Sequence, residues 1–358
     1  GEFVRKLSPN INLFAGYDVT VDPSIAAEFA HAVYRFGHSM LTETVAMTGY
    51  DPVTGISNGD DKSMGLIEAF INPAAYTPTT SGEIAIGMSG QVGNAIDEWV
   101  TDALRNNLVG LPLDLATLNL VRGRDAGLGS LNEVRASLFT QTGITSLKPY
   151  ENWDDFAANL LHHESLENFI MAYARDVVID TYGDLNPALG GIQRPVDGLA
   201  GWDALRDSSD AASRELYATA LRGAARAAID DVAFMTGDFG LNSIDFWIGG
   251  LAEKKVPGGM LGSTFDFIFA MQMIKLQNAD RLYYLARLAG TDLLGEIEGQ
   301  LFSDIVMRAT GVKHLYSDIF SVPDKFVEIG SPGTAAETYG SLNSLLRSTT
   351  AVQDAEGR

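Results

Sequence analysis

The chain has 358 residues, of which 46% are apolar and 20% are charged, as is typical of a globular protein with a sizeable core. Acidic residues outnumber basic ones by 46 to 25, and the net charge of −21 argues against sequence-independent nucleic-acid binding. The absence of cysteine excludes disulfides, thiolate metal sites and cysteine nucleophiles.

The first residues, GEFVRKLSPN, lack the apolar centre of a secretory signal peptide and do not begin with methionine. We therefore expect the sequence to be a piece of a longer protein or a processed product. No apolar run approaches the roughly 18 residues of a membrane span, so no transmembrane helix is expected.

Helical periodicity dominates the chain, and strand-like alternation is scarce. The pattern predicts an all-α, mostly helical fold with little β structure. Turn-forming residues predict loops at 48–65 and 183–202, and the loss of apolar pattern from about residue 331 predicts a tail or linker. The predicted helical segments cover residues 22–47, 93–109, 154–178, 212–235, 263–289 and 292–310.

The first predicted helix carries polar side chains within the apolar stretch HAVYRFGHSM. At about 100° per residue, His31 and His38 would share one face, with Arg35 between them. This helix alone favours two core histidines bonded to carbonyls and Arg35 in a salt bridge. The other interpretation is a face turned towards a ligand. Gly37 is compatible with the ligand-facing interpretation. A glycine inside a helix lowers stability by about 0.5–1 kcal/mol relative to alanine, and one reason to keep it is that a flat group can then approach the backbone.

A second stretch, LNLVRGRDAGLGSLNEVR at 118–135, places an asparagine in an apolar run. Burying the Asn119 side chain without a hydrogen-bond partner would be costly. Its amide oxygen could accept a hydrogen bond from the N–H of a histidine ring, which would fix which ring nitrogen faces a metal. Arg122 and Arg124 would diverge on a helix. One could clamp a carboxylate in a bidentate manner while the other holds the fold.

Four blocks, in this order, resemble the animal-type haem peroxidases of the peroxidase–cyclooxygenase superfamily. They are VDPSIAAEFAHAVYRFGHSM, LNLVRGRDAGLGSLNEVR, NSIDFWIGGLAE at 242–253 and KLQNADRLYY at 275–284. The resemblance implies a mostly helical peroxidase-like fold. Residues 1–330 would form the proximal part of the peroxidase domain, with a family insertion at 141–230 and a tail or linker at 331–358.

The resemblance also implies roles for individual residues. His38 stands at the position of the proximal ligand to haem iron, and Asn119 at that of the amide that orients this ligand. Arg35 and Arg122 stand where family members hold the haem propionates, and Gly37 would let the macrocycle lie close to the helix. The implied cofactor is a b-type haem, with covalent attachment left open.

Several family elements have no counterpart in this segment. The distal histidine and arginine that split peroxide, and the calcium loop, lie well upstream of the proximal helix in the family. We expect them in a missing N-terminal part of the same protein or in a second chain, so no catalytic residue is assigned here. The family's Asp-His-Gly is Asp125-Ala126-Gly127, although that histidine is not the iron ligand. His31 is interpreted as structural, and the oxygen-rich stretch 51–61 as a solvated loop without EF-hand spacing.

The implied function is a secreted bacterial haem peroxidase that uses hydrogen peroxide to oxidise a small reductant: a halide, a phenol or Mn(II). Two alternatives stay open. One is a peroxidase-like structural or adhesion module of a large secreted protein. The other is a haem fatty-acid dioxygenase, which needs a radical-forming tyrosine near the haem; Tyr34 and Tyr50 are near in sequence.

Overall fold

The computed structural model describes residues 2–183, 197–323, 325–329 and 350–354. Helices dominate these residues, which confirms the predicted all-α class. The helices are α1 (Glu2–Leu7), α2 (Ala27–His31), α3 (Gly37–Met40), α4 (Leu66–Ile71), α5 (Thr80–Ser89), α6 (Asp102–Asn106), α7 (Leu115–Asp125), α8 (Leu131–Thr142), α9 (Trp153–Ala158), α10 (Ser165–Tyr173), α11 (Arg175–Tyr182), α12 (Leu199–Arg206), α13 (Ala211–Ile229), α14 (Val232–Met235), α15 (Phe246–Ala252), α16 (Ser263–Ala279), α17 (Tyr284–Arg287), α18 (Asp292–Glu298) and α19 (Phe302–Thr310).

The β structure consists of two small sheets within the described residues. Strands β1 (Thr44–Tyr50) and β2 (Ser57–Gly65) form an antiparallel hairpin with Thr44 opposite Gly65, and β3 (Lys325–Ile329) pairs in parallel with β4 (Thr350–Asp354). The prediction of a loop over residues 48–65 is therefore wrong, because strands β1 and β2 occupy most of this segment. Strand β2 is almost entirely polar and exposed, so it lacks the alternation by which a half-buried strand is recognised.

Two other predicted segments fall partly outside the described residues. Of the loop predicted at 183–202, residues 184–196 lie outside them, and its last part is the start of α12. Of the tail predicted at 331–358, only residues 350–354 are described, as strand β4.

The continuous helix predicted over residues 22–47 is also wrong. It is replaced by α2, a 3-10 turn at Val33–Phe36, the short α3 and then strand β1. The break falls at Ala32, whose φ of −130° and ψ of −68° leave the helical region. Asp22 does not cap a helix, because its carboxylate accepts hydrogen bonds from the backbone N and Oγ of Ser24 instead. His31 and His38 therefore do not lie on one helix.

The chain divides into two compact units. The first comprises residues 1–24, 37–117 and 273–358. Its described core includes Tyr50, Val312 and Leu315, and the Tyr50 hydroxyl donates to the carbonyl oxygen of Thr310 at 3.3 Å. Helix α5 packs on the hairpin, and its Gly87 lies directly against the backbone of β1.

Gly87→Ala is expected to lower the free energy of unfolding by about 1–3 kcal/mol, the usual cost of overpacking. The added Cβ would clash with the backbone nitrogen of Met47, and a backbone atom cannot yield as a flexible side chain can. Urea unfolding followed by circular dichroism measures the change. Gly90→Ala, at the end of the same helix, is the control, because its Cβ would meet only the Gly87 oxygen at 3.6 Å. Equal losses in both variants would contradict the close approach.

The second unit comprises residues 25–36 and 118–272. Its core is helical and built on large buried side chains such as Trp153, Phe156 and Trp202. Helix α13 places alanines 220, 224, 225 and 228 on one buried stripe, which lets α11 and α12 pack closely against it. Capping side chains begin several of these helices, including Ser130 with Glu133 at α8 and Asp210 at α13.

A buried ion pair lies within this helical unit. Arg135 and Glu253 are 4% and 1% exposed, and Arg135 Nη1 donates to Glu253 Oε1 at 2.6 Å. Arg135 also donates to the carbonyl oxygen of Lys148, while the Tyr150 hydroxyl and the Thr264 backbone N donate to the Glu253 carboxylate. Burial, and next the charge of Glu253, raise the pKa of Tyr150. The pair is thus fully hydrogen-bonded, as a buried charge requires.

Candidate functional site

Three of the predicted site residues come together in the second unit. Asn119 lies in α7 and is fully buried, and Arg35 lies in the 3-10 turn after α2. Arg35 Nη1 donates to Asn119 Oδ1 at 3.2 Å. An amide oxygen can accept two hydrogen bonds, so this contact is compatible with the histidine N–H that the sequence predicts as a partner of Asn119.

Arg35 and Arg122 form a pair of cations without a protein anion among the described residues. Burial, and next the positive charge of Arg122, lower the pKa of Arg35. The Nε atom of Arg35 is buried and has no hydrogen-bond partner. Within the described part of the chain, neither guanidinium is ion-paired to a carboxylate. Two such cations favour an anionic ligand, because a guanidinium matches the geometry of a carboxylate.

Arg124, two residues along α7, holds the fold instead. Its Nε and Nη2 donate to the two carboxylate oxygens of Asp245 at 2.8 and 2.6 Å. The Tyr173 hydroxyl donates to the same carboxylate at 2.8 Å. Burial, followed by the charge of Asp245, raises the pKa of Tyr173. Arg124 is therefore tied to Asp245, whereas Arg122 is not ion-paired within the described residues, and both arginines are exposed.

Gly37 and His38 belong to the first unit, where they begin α3. Neighbouring residues hold this short helix: the Asn94 backbone N donates to the Met40 oxygen at 3.0 Å, and the Asp97 backbone N donates to Ser39 Oγ at 3.3 Å. His38 is half-buried. A Cβ added at Gly37 would meet no described atom within 4 Å, so the space beside this glycine is open.

The other histidine and the tyrosines of this region have different surroundings. His31 ends α2, and its Nδ1 is buried without a hydrogen-bond partner among the described residues. Tyr34 is 68% exposed and rests against Phe29, while Tyr50 belongs to the core of the first unit. The structural role of His31 stays a prediction.

A large cavity of about 1320 Å³ opens in the first unit. Aromatic pairs line it, including Phe14 with Tyr283 and Phe302 with Phe320. None of the predicted site residues is among its lining residues. This cavity is therefore not the predicted haem site.

Comparison with protein families identifies the family to which this chain belongs. The family model for the animal haem peroxidases matches residues 2–192 and 240–320, well over half of the chain. The chain belongs to the animal haem peroxidase family. The resemblance seen in the four sequence blocks is confirmed. Residues 193–239, which include all of α13, are not covered by the match.

Individual animal haem peroxidases are distant in sequence. Thyroid peroxidase of Sus scrofa is 25% identical over 324 residues, covering 87% of this chain and 26% of that protein. Peroxinectin A of Dictyostelium discoideum is 24% identical over 304 residues, covering 83% and 41%. Peroxidase A of Dictyostelium discoideum has a similar fold, with a TM-score of 0.55, 21% identity and coverage of 89% and 47%. This chain thus spans less than half of each of these relatives.

The described part of the chain contains no helix that is long and apolar enough to cross a membrane.

The structure adds three residues that the sequence did not single out: Asp245, Tyr173 and Trp247. Asp245 and Trp247 lie in the block NSIDFWIGGLAE, where a carboxylate and an indole interrupt an apolar helix start. That interruption is the sequence signal by which these two residues could have been found. Their partners are too distant in sequence for the pattern to identify.

Proposed function

We propose that this chain forms the haem-binding, proximal part of a peroxidase that uses hydrogen peroxide to oxidise a small reductant. The observation that carries the proposal is the pair Arg35 and Arg122, two neighbouring cations without a protein anion. A haem carries two propionates, whose charge and shape suit two guanidinium groups. The open space beside Gly37 fits a flat macrocycle. The residues present therefore fit haem.

Each residue then has a distinct task. The bound haem supplies the iron at which peroxide is split. His38 would hold the iron through one ring nitrogen, and Asn119 Oδ1 would accept the N–H of the other, which would fix the ring tautomer and its orientation. Arg35 would serve both groups of the site, because it donates to Asn119 and lies near the positive charge of Arg122. The interior position of Asn119 keeps water from competing for its amide oxygen.

The acid–base chemistry on the opposite face of the haem requires a histidine and an arginine from a part of the protein outside this sequence. We place the whole protein outside the cell, as a secreted bacterial peroxidase. The acidic composition suits a cationic reductant such as Mn(II) as well as small neutral phenols.

The absorption spectrum of the haem in the natural full-length protein tests the ligand assignment. His38→Ala is expected to abolish or strongly shift the Soret band, because the iron loses its axial imidazole. His31→Ala is the matched control and should leave the band unchanged. An unaltered spectrum in His38→Ala would remove the assignment. A wild-type protein without a Soret band would instead favour a structural or adhesion module.

Gly37→Leu is expected to lower haem affinity by roughly tenfold or more, the factor that corresponds to the usual cost of overpacking. The unloaded chain should keep its stability, because a Cβ at this position meets no described atom within 4 Å and the rest of the side chain starts from open space. Haem titration measures the first effect and thermal unfolding the second. Gly295→Leu is the control, since Gly295 is also helical and faces open space. Equal haem affinity in all three proteins would show that the macrocycle does not approach Gly37.

A further inference from the structure

A small cavity lies beside Asn119, between α7 and the start of α15. Its volume is about 20 Å³, and it is lined by Asn119, Gly123, Arg124, Asp245 and Trp247 together with apolar neighbours. Trp247 is only 2% exposed, yet its indole Nε1 has no hydrogen-bond partner in the described chain. A buried N–H without a partner costs about 1–3 kcal/mol, so its position beside a cavity requires an explanation.

The size and lining of this cavity suit one water molecule. A cavity needs about 10–15 Å³ to hold a water, and the water needs two or more polar partners. Trp247 offers a donor. Asp245 offers an acceptor, because its carboxylate has about four lone-pair sites and accepts three hydrogen bonds, two from Arg124 and one from Tyr173. An apolar cavity of this size would stay empty, but this one has a carboxylate and an amide in its wall.

We propose that one structural water occupies this cavity, accepts a hydrogen bond from Trp247 Nε1 and donates one to the Asp245 carboxylate. We further propose that Trp247 is thereby a positioning residue for Asn119. The second statement rests on the proposed function, in which Asn119 orients the iron ligand. The first statement concerns the chain without haem and stands independently.

The geometry explains how Trp247 acts at a distance from the iron. Arg124 fastens α7 to Asp245 five residues after Asn119, and the water fills the space between that clamp and the amide. With the space filled, the Asn119 side chain is held between the water on one side and Arg35 on the other. Without the indole N–H the water loses its donor, and the amide gains room to reorient.

The water is tested first in the unloaded chain, with the tryptophan indole nitrogens labelled for nuclear magnetic resonance. The indole N–H of Trp247 is expected to show magnetisation transfer from a long-lived bound water. The indole of Trp202 is the matched reference, because it is also buried without a partner but does not line this cavity. No transfer at Trp247, or equal transfer at both indoles, would overturn the water site.

The positioning role is tested in the haem-loaded full-length protein. Trp247→Phe is expected to shift the Soret maximum and the reduction potential of the iron, and to lower haem affinity roughly tenfold, as loss of an outer-shell partner commonly does. Trp202→Phe removes an equivalent buried N–H and should leave all three readouts unchanged. Site-specific 3-benzothienylalanine at position 247, which keeps the ring shape and replaces N–H by sulfur, should reproduce the shift if Trp247→Phe fails to fold.

The outcomes separate the proposals. Unchanged spectra, potential and affinity in the folded 247 variants would overturn the positioning role while leaving the water to the resonance experiment. Absence of haem from the wild-type protein would overturn the proposed function and the positioning role with it. The water site is then still decided by the measurement on the unloaded chain.

Discussion

Glu253→Gln is expected to lower the free energy of unfolding by about 3–5 kcal/mol, the usual cost of leaving one member of a buried ion pair without its counter-charge. Arg135 is 4% exposed, so its guanidinium group lies almost entirely out of water. The variant keeps the shape of the side chain, so the loss comes from charge and not from a cavity. Chemical denaturation of the unloaded chain measures it.

Glu167→Gln is the matched control, with the same substitution in the same unit. Glu167 forms ion pairs with two guanidinium groups, those of Arg222 and Arg226, but both arginines are more than half exposed. Exposed ion pairs contribute about 0–1 kcal/mol, so this variant should differ little from wild type. Similar losses in the two variants would mean that the Arg135–Glu253 pair is not desolvated as the structure shows.

Helical periodicity predicted the fold class because several segments, such as those of α13 and α19, carry an apolar face over two or more turns. The 17-residue helix α16 and the 19-residue helix α13 both fall in predicted segments. The failure at residues 22–47 has a local cause. Alternating small and aromatic residues there suit a 3-10 turn as well as an α-helix, and nothing in the spacing marks the break at Ala32. The exposed strand β2 was missed because a polar strand resembles a loop.

The candidate site was predicted from the sequence only in part. The residue types of Arg35, Asn119 and Arg122 pointed to a shared site, and the structure brings these three together. The choice between Arg122 and Arg124 needed coordinates, since it depends on Asp245, which lies 121 residues after Arg124 in the chain. The same holds for Trp247, whose unpaired N–H is a property of packing. The placement of His38 as the iron ligand stays a prediction.

Arg35→Gln and Arg122→Gln are each expected to weaken haem binding by roughly tenfold or more, because each removes a charge-assisted hydrogen bond to a propionate. Haem dimethyl ester, whose carboxylates are neutral esters, isolates this contribution. Wild-type protein should prefer haem over the ester, and each variant should lose most of that preference. Titration of both ligands into the three proteins, followed in the Soret region, gives the four affinities of each double-mutant cycle.

The cycle distinguishes a propionate clamp from a general effect of positive charge. Arg226→Gln, which removes an exposed arginine of the same unit, should keep the full preference for haem, because screening makes a remote exposed charge ineffective. The preference should also persist at raised salt concentration, since Arg35 is partly buried and its guanidinium is already desolvated. If the Arg35 and Arg122 variants discriminate between haem and its ester as well as wild type does, these two cations serve another anion and the propionate assignment is wrong.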